Sequence, residues 1–235
     1  MANKIFACGD THMPIDVKKL TSKLFPEGNK LTKDDYVIIL GDFGLLWKNV
    51  PDGEEKYWTK WLDEKPWTTL FISGNHENHP RLQKLKKVDM FGGVVGKVSD
   101  SIYHLRRGYV YTIHNKTFFT MGGAVSVDKI HRTEGISWWR EEVPSHKEMD
   151  FGLENLEAVH NKVDYILSHT LPQGLIWETS CKAFHAGHPL HDSTCDYLQH
   201  IYTMVDFKQA YCGHFHINKV VGKYQILYED VIQII

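Results

Sequence analysis

The stretch Tyr36-Val37-Ile38-Ile39-Leu40-Gly41-Asp42 decides the fold. Five β-favouring residues in a row, with no polar alternation, read as a strand covered on both faces, and the run stops at a glycine followed by a carboxylate. The pattern repeats along the chain. Ile5 to Cys8 runs into Gly9-Asp10-Thr11-His12, Thr69 to Ile72 into Ser73-Gly74-Asn75-His76-Glu77, Tyr165 to Leu167 into Ser168-His169, and Gln209 to Cys212 into Gly213-His214-Phe215-His216. Every buried run therefore ends in an oxygen or imidazole donor. In open α/β sheets the ligand site lies beyond the carboxyl ends of the strands, so the five ends are expected to converge on one pocket.

Helical periodicity fills the intervals. Tyr57, Trp58, Trp61 and Leu62 form one apolar stripe; Met149, Leu153, Leu156 and Val159 form a second, which Gly152 weakens; Tyr197, Leu198, Ile201, Tyr202 and Val205 form a third. Ser145-His146-Lys147-Glu148 has the S-x-x-E form of a capping box that starts the second helix. Strands alternating with helices predict α/β layers. Two hairpins are legible, Tyr109 to Ile113 with Thr117 to Met121 around Asn115-Lys116, and Lys219 to Val221 with Tyr224 to Leu227 around Gly222-Lys223. They predict a mixed sheet or a second one. No repeat or linker divides the chain, and a single domain over residues 1–235 is expected.

Composition narrows the function classes. The 235 residues carry 27 Lys and Arg against 29 Asp and Glu, a formal charge of −2, with 42% hydrophobic and 24% charged residues, which excludes disorder and coiled coil. No apolar run reaches the roughly 18 residues of a membrane span and no signal-peptide core follows Met1, so a cytoplasmic protein with no membrane partner is expected. The balanced charge gives no sign of a basic surface for stable nucleic-acid binding. Cys8, Cys181, Cys195 and Cys212 form no CxxC pair and are expected as reduced thiols, with Cys8 and Cys212 as small core residues. The excess is in histidine, at 15 residues, and imidazole is the commonest protein metal ligand.

The placement of the donors gives that excess a use. Asp10 with His12, and His214 with His216, are i, i+2 pairs, which in extended backbone project to one side, so each pair can grip one centre. Gly9, Gly41, Gly74 and Gly213 sit directly before donors, where a missing Cβ permits close backbone approach. Asp, Asn and His without Cys suit five- or six-coordinate Mn, Fe or Zn better than a structural thiolate site. There are too many ligands for one ion.

The blocks Asp10-x-His12, Gly41-Asp42, Gly74-Asn75-His76-Glu77, His169 and Gly213-His214-x-His216, in this order, resemble the five signature blocks of the calcineurin-like metallophosphoesterase superfamily. The resemblance spans residues 10 to 216. It implies a four-layer α/β/β/α sandwich of two mixed sheets flanked by helices, with two divalent metal ions at the strand ends, Mn or Fe ahead of Zn. It also implies that Asp10, His12, Asp42 and His216 bind the first ion and Asp42, Asn75, His169 and His214 the second, Asp42 bridging. A hydroxide held between the ions would attack phosphorus, and His76 would stabilise the transition state or protonate the leaving oxygen. The chain departs from the serine/threonine protein phosphatases of the superfamily. Those follow the second block with G-D-x-x-D-R-G, where this chain reads Gly41-Asp42-Phe43-Gly44-Leu45-Leu46-Trp47. The Asp that would orient the histidine and the phosphate-binding Arg are both missing, and Arg81 is not at the expected position.

The expected activity is metal-dependent hydrolysis of a phosphomonoester or phosphodiester in a small-molecule or nucleotide substrate. Two readings compete with it: a nucleotide phosphohydrolase or nuclease relative on the same centre, and a metal-poor scaffold of the same fold that binds proteins. Lys129 and Arg132, with Asn75, are candidate substrate contacts, because phosphoryl chemistry needs cationic positioning; the alternative is a solvated loop. Trp47 and Trp138-Trp139 read as packing of an insert ahead of a platform for a nucleobase. Glu77 is expected to orient its own loop. His185, His188 and His191, with Pro189 among them, are expected in a loop over the active-site mouth rather than as a third metal site.

Overall fold

The computed structural model describes residues 3–179 and 192–235. In chain order the strands are β1 (Ile5–Cys8), β2 (Tyr36–Leu40), β3 (Thr68–Ile72), β4 (Lys86–Met90), β5 (Gly93–Lys97), β6 (Ile102–Leu105), β7 (Val110–Ile113), β8 (Lys116–Met121), β9 (Tyr165–Ser168), β10 (Gln209–Cys212), β11 (Lys219–Val221), β12 (Tyr224–Ile226) and β13 (Val231–Gln233). The helices are α1 (Gly53–Asp63), α2 (His79–Lys84), α3 (His146–Ala158) and α4 (Ser193–Met204). One sheet has the order β13-β1-β2-β3-β6-β5-β4 and the other β11-β12-β10-β9-β8-β7. Both are mixed. Parallel pairing joins β1, β2, β3 and β6 in the first sheet and β8, β9, β10 and β12 in the second.

The continuous apolar runs are explained by where alternate residues go. Ile5, Ala7, Ile38, Leu40, Leu70 and Ile72 face the second sheet, meeting Tyr111, Phe118, Leu167 and Tyr211. Their neighbours Phe6, Cys8, Val37, Ile39 and Phe71 face outward onto Leu20, Phe25, Leu62 and Trp67. On the far side, Phe119, Met121, Ile166 and Ala210 pack against Met149 and Leu156 of α3 and Leu198 and Ile201 of α4. A strand buried on both faces has no solvent side to record as polar alternation. Each fully buried aliphatic side chain here contributes about 1.5–3 kcal/mol. The result is four layers: α1 and short helical turns, two sheets, then α3 with α4.

The helix starts follow local chemistry. Ser145 Oγ accepts from Glu148 N at 3.3 Å while Glu148 Oε2 accepts from Ser145 N at 2.8 Å, closing the capping box on α3. Gly152, the weak point of that helix's periodicity, makes room for a side chain of α4: a Cβ there would collide with the Tyr197 hydroxyl. That hydroxyl donates to Met149 O at 3.0 Å.

Several expectations are corrected. The tip of the first hairpin is His114-Asn115, one residue earlier than expected, with Ile113 paired to Lys116. Both tip residues have positive φ, +49° and +59°, the handedness that suits a two-residue turn between twisted strands. Tyr57 is exposed, so the buried stripe of α1 is narrower than expected. The hairpin β4–β5, strands β6 and β13 and the short α2 were not anticipated. As the expected two-sheet sandwich requires, the five donor-bearing strand ends are shared between the two sheets and meet across the seam between them. Among the described residues no helix is long and apolar enough to cross a membrane.

Candidate metal centre

Two groups of donors assemble at the seam. Asp10, His12 and His216 each present a ligand-type atom within 4.8 Å of the others, and so do Asp42, His169 and His214. Asp10 and Asp42 are fully buried. His216 Nε2 lies 3.1 Å from Asp10 Oδ2, His12 Nε2 3.3 Å from Asp42 Oδ2, and His169 Nε2 3.3 Å from Asp42 Oδ1 and 3.1 Å from Asn75 Oδ1. Asp42 therefore stands between the groups, with an imidazole of each against one of its oxygens.

The backbone makes this crowding possible. A Cβ on Gly41 would overlap His169 Nδ1, one on Gly74 would overlap Asp42 Oδ1, and one on Gly213 would overlap Asp10 Oδ1. His12, Asp42, His214 and His216 all have positive φ, at +35°, +46°, +71° and +51°. Non-glycine residues held there cost on the order of 1–3 kcal/mol each and persist where the surroundings enforce them. The same turns correct the i, i+2 expectation, since neither pair lies in extended backbone. Asp10 and His12 do share a group, but His214 joins His169 while His216 joins Asp10.

Further contacts fix the donors' orientation. His169 Nδ1 donates to Leu40 O at 2.7 Å, which turns Nε2 towards Asp42 and Asn75. His12 Nδ1 is 2.8 Å from Asp16 Oδ2, which turns its Nε2 towards Asp42. Asn75 Nδ2 donates to Ser126 Oγ at 3.0 Å, and Ser126 Oγ donates in turn to Glu142 Oε2 at 2.5 Å. Asp10 Oδ1 accepts from His214 N at 2.9 Å, and Asp42 Oδ1 accepts from His76 N at 2.8 Å. Glu77 Oε1 accepts from Phe43 N at 2.7 Å, so it ties the loop after β3 to the loop after β2. Sequence reasoning missed Asp16, which its position four residues after His12 could have suggested. It also missed Ser126 with Glu142, for which no local signal exists.

Charge balance shows what the site requires. Burial opposes ionisation of Asp42, yet His169, His76 and His12 outweigh it and hold the carboxyl well below its usual range. Burial likewise opposes ionisation of Asp10, and a hydrogen bond from His216 with the charge of His169 lowers its pKa. Burial would depress His12 and His169, but Asp42 above all pulls both up to about 9. Burial, then the charge of His169, pushes His214 down to about 3. Two buried carboxylates thus demand positive charge, which protons on imidazole supply where a dication can replace them. Carboxylate, amide and imidazole donors in glycine-lined cradles fit divalent ions.

Beside the donors opens a cavity of about 580 Å³ whose walls include His12, His216, His76, Arg132, Trp47 and Trp58. The His76 ring is half-buried, with Nε2 3.5 Å from Arg132 Nη2. Burial first, then Arg132, lowers its pKa. Arg132 is itself forked onto Asp128 at 2.8 and 2.7 Å. Lys129 is exposed and is not part of the cavity wall. Trp139 is buried against Trp47 in an edge-on contact at 5.1 Å, so Trp139 packs the insert while Trp47 faces the cavity. Arg81 clamps Glu55 through two hydrogen bonds of 2.7 and 2.8 Å. Cys8, Cys195 and Cys212 are buried. Cys181 and the His185, His188 and His191 stretch lie outside the described residues.

A sandwich of two mixed sheets with carboxylates and imidazoles gathered at the facing strand ends forms a site suited to divalent metal ions. The model of the calcineurin-like phosphoesterase family matches residues 3–173, and the chain belongs to that family. The matched segment carries Asp10, His12, Asp42, Asn75, His76 and His169; His214 and His216 lie beyond it and join the same site through the fold. No curated protein matches the chain.

Proposed function

We propose that the chain hydrolyses phosphomonoesters or phosphodiesters at a dinuclear metal centre, Asp10, His12, Asp42 and His216 holding one ion and Asp42, Asn75, His169 and His214 the other, with Mn or Fe ahead of Zn as occupants. The observation that carries this reading is the position of Asp42, buried between two donor groups with one oxygen towards an imidazole of each. When bound there, two divalent ions would supply Lewis-acid polarisation of phosphoryl oxygens and acidification of a water.

The chain's own residues do the rest. Leu40 O and Asp16 hold the His169 and His12 rings with Nε2 inward, and Ser126 holds the Asn75 amide with Oδ1 inward. This pre-organisation removes reorganisation from the reaction. Arg132 Nη2 lies 3.5 Å from His76 Nε2 and would bind a phosphoryl oxygen in the ground and transition states. His76 would hydrogen-bond the departing oxygen and give it a proton. Lys129, exposed beyond the cavity wall, is left without this role. The competing scaffold reading is disfavoured, because a fold that binds no cation has no use for two buried carboxylates and their imidazole partners gathered at one seam.

The decisive experiment measures bound metal and turnover of bis-p-nitrophenyl phosphate together. Native protein should bind two divalent ions per chain and turn the ester over. Asp42→Asn should lose nearly all turnover with circular dichroism unchanged; an active Asp42→Asn protein would reject the proposal.

A further inference from the structure

Beyond the donors, the cavity has a composition that a phosphate-rich ligand would not meet. Its apolar walls are Met13, Leu45, Trp47 and Trp58, with Ile15 exposed at the rim and Tyr228 stacked on His216 at 4.6 Å. Its charged wall carries Asp52, Glu54 and Glu55 on or just before α1, and Asp16 near the donors. Against these four carboxylates stand Lys48 and Arg132 on the wall and Arg81, which clamps Glu55. Each already has a carboxylate partner. Lys48 Nζ contacts Asp52 and lies 3.6 Å from Glu54, while Arg132 is forked onto Asp128.

Every wall residue bears on what can fill the space beside the reacting phosphorus. Aromatic faces and aliphatic side chains favour an apolar or aromatic group. A second phosphate would meet Glu54 and Asp52 with only Lys48 beside them, and with Arg132 taken up by Asp128 and the reacting phosphoryl group no further cation is left to neutralise it. Polyphosphates and polynucleotides are disfavoured on the same ground.

We propose that the cavity beside the donors is a subsite for an uncharged aromatic or aliphatic group, so that the preferred substrate is an ester carrying a single phosphoryl group and no other anion. This specificity rests on the phosphoesterase reading above. In the reaction it selects for, water adds its oxygen to phosphorus, the bond from phosphorus to the leaving oxygen breaks, and the leaving alcohol departs with the proton. The other ester group stays on the phosphate.

The test uses three p-nitrophenyl diesters that share one leaving group and differ in the retained group: methyl, benzyl and 4-carboxybenzyl. The methylene insulates phosphorus from the ring, so kcat/KM reports the subsite. With the manganese-loaded protein, benzyl should exceed methyl at least tenfold, and 4-carboxybenzyl should fall at least tenfold below benzyl. Trp58→Ala should bring the benzyl-to-methyl ratio close to one, and Glu54→Gln should narrow the gap between benzyl and 4-carboxybenzyl. The ester series on the unaltered protein decides the matter even where a variant fails to fold. Turnover of all three at equal kcat/KM, or preference for the carboxylate, overturns the subsite and leaves the phosphoesterase reading intact. No turnover of any ester overturns both.

Discussion

Asp16→Asn tests whether the two donor groups are separate metal sites with separate supports. Asp16 Oδ2 lies 2.8 Å from His12 Nδ1, and both side chains are 17% exposed, so the contact is partly shielded from water. A carboxylate behind a ligating imidazole fixes its tautomer and raises its basicity, and removing such a partner lowers metal affinity about 10- to 100-fold, or about 1.4–2.7 kcal/mol. Asparagine keeps an acceptor oxygen but not the charge, so Asp16→Asn should fall near the tenfold end and Asp16→Ala near the hundredfold end. The second group should be spared, because its His169 is oriented by the Leu40 carbonyl, a backbone atom that no side-chain change removes. Calorimetric titration of Mn²⁺ into chelator-stripped protein resolves the two sites. One weakened site and one unchanged site is the expected result. Equal weakening of both, or of neither, would refute the assignment of Asp16 to His12's ion.

Other consequences are equally measurable. Gly74→Ala should fold but bind fewer than two ions per chain by elemental analysis, since its Cβ overlaps Asp42 Oδ1 and the Asp42 backbone nitrogen; full metal content would show that the loop yields. His76→Ala should lower kcat far more with an alkyl leaving group than with p-nitrophenolate, which needs little protonation, and equal losses would point to a purely electrostatic role. Away from the centre, Asp35 is 8% exposed and accepts from Lys4 N and Thr32 N at 2.7 Å each and from Thr32 Oγ1 at 3.0 Å. Asp35→Ala should cost about 2–4 kcal/mol in urea unfolding at neutral pH. Burial opposes the Asp35 charge, but these hydrogen bonds win and lower its pKa. Its stabilisation is therefore present above the unfolded Asp value of about 3.9 and lost as pH falls through the lower folded one. The gap between native protein and Asp35→Ala should close below about pH 4, and a constant gap would contradict the assignment.

What the sequence revealed and what it hid divide along physical lines. β1, β2, β3, β9 and β10 are legible because both faces are buried, so their runs are mostly apolar and show no polar alternation. The β4 strand reads Lys-Lys-Val-Asp-Met, lies at the end of its sheet and exposes much of itself, so nothing in its composition distinguishes it from a loop. The six residues of α2 are too few to develop a stripe. The donors are legible as strand-end residues, but their grouping comes from the family resemblance and not from their spacing. Spacing alone puts His214 and His216 together, whereas their positive φ values separate them, and a left-handed turn at histidine leaves no mark in composition. Ser126 and Glu142 are 16 residues apart, linked by a tertiary contact that no periodicity encodes.

The way the two groups are shared between the sheets also bears on how the protein is made. Each group takes members from the first sheet's loops, early in the chain, and from the second sheet's loops, late in it: Asp10 and His12 wait for His216, and Asp42 waits for His169 and His214. A nascent chain emerging from the ribosome can form β1, β2 and β3 with their loops, yet neither cradle is whole until residue 214 or 216 has been synthesised. A cation that needs a whole donor group would therefore be captured only late in biogenesis, once both sheets are in place.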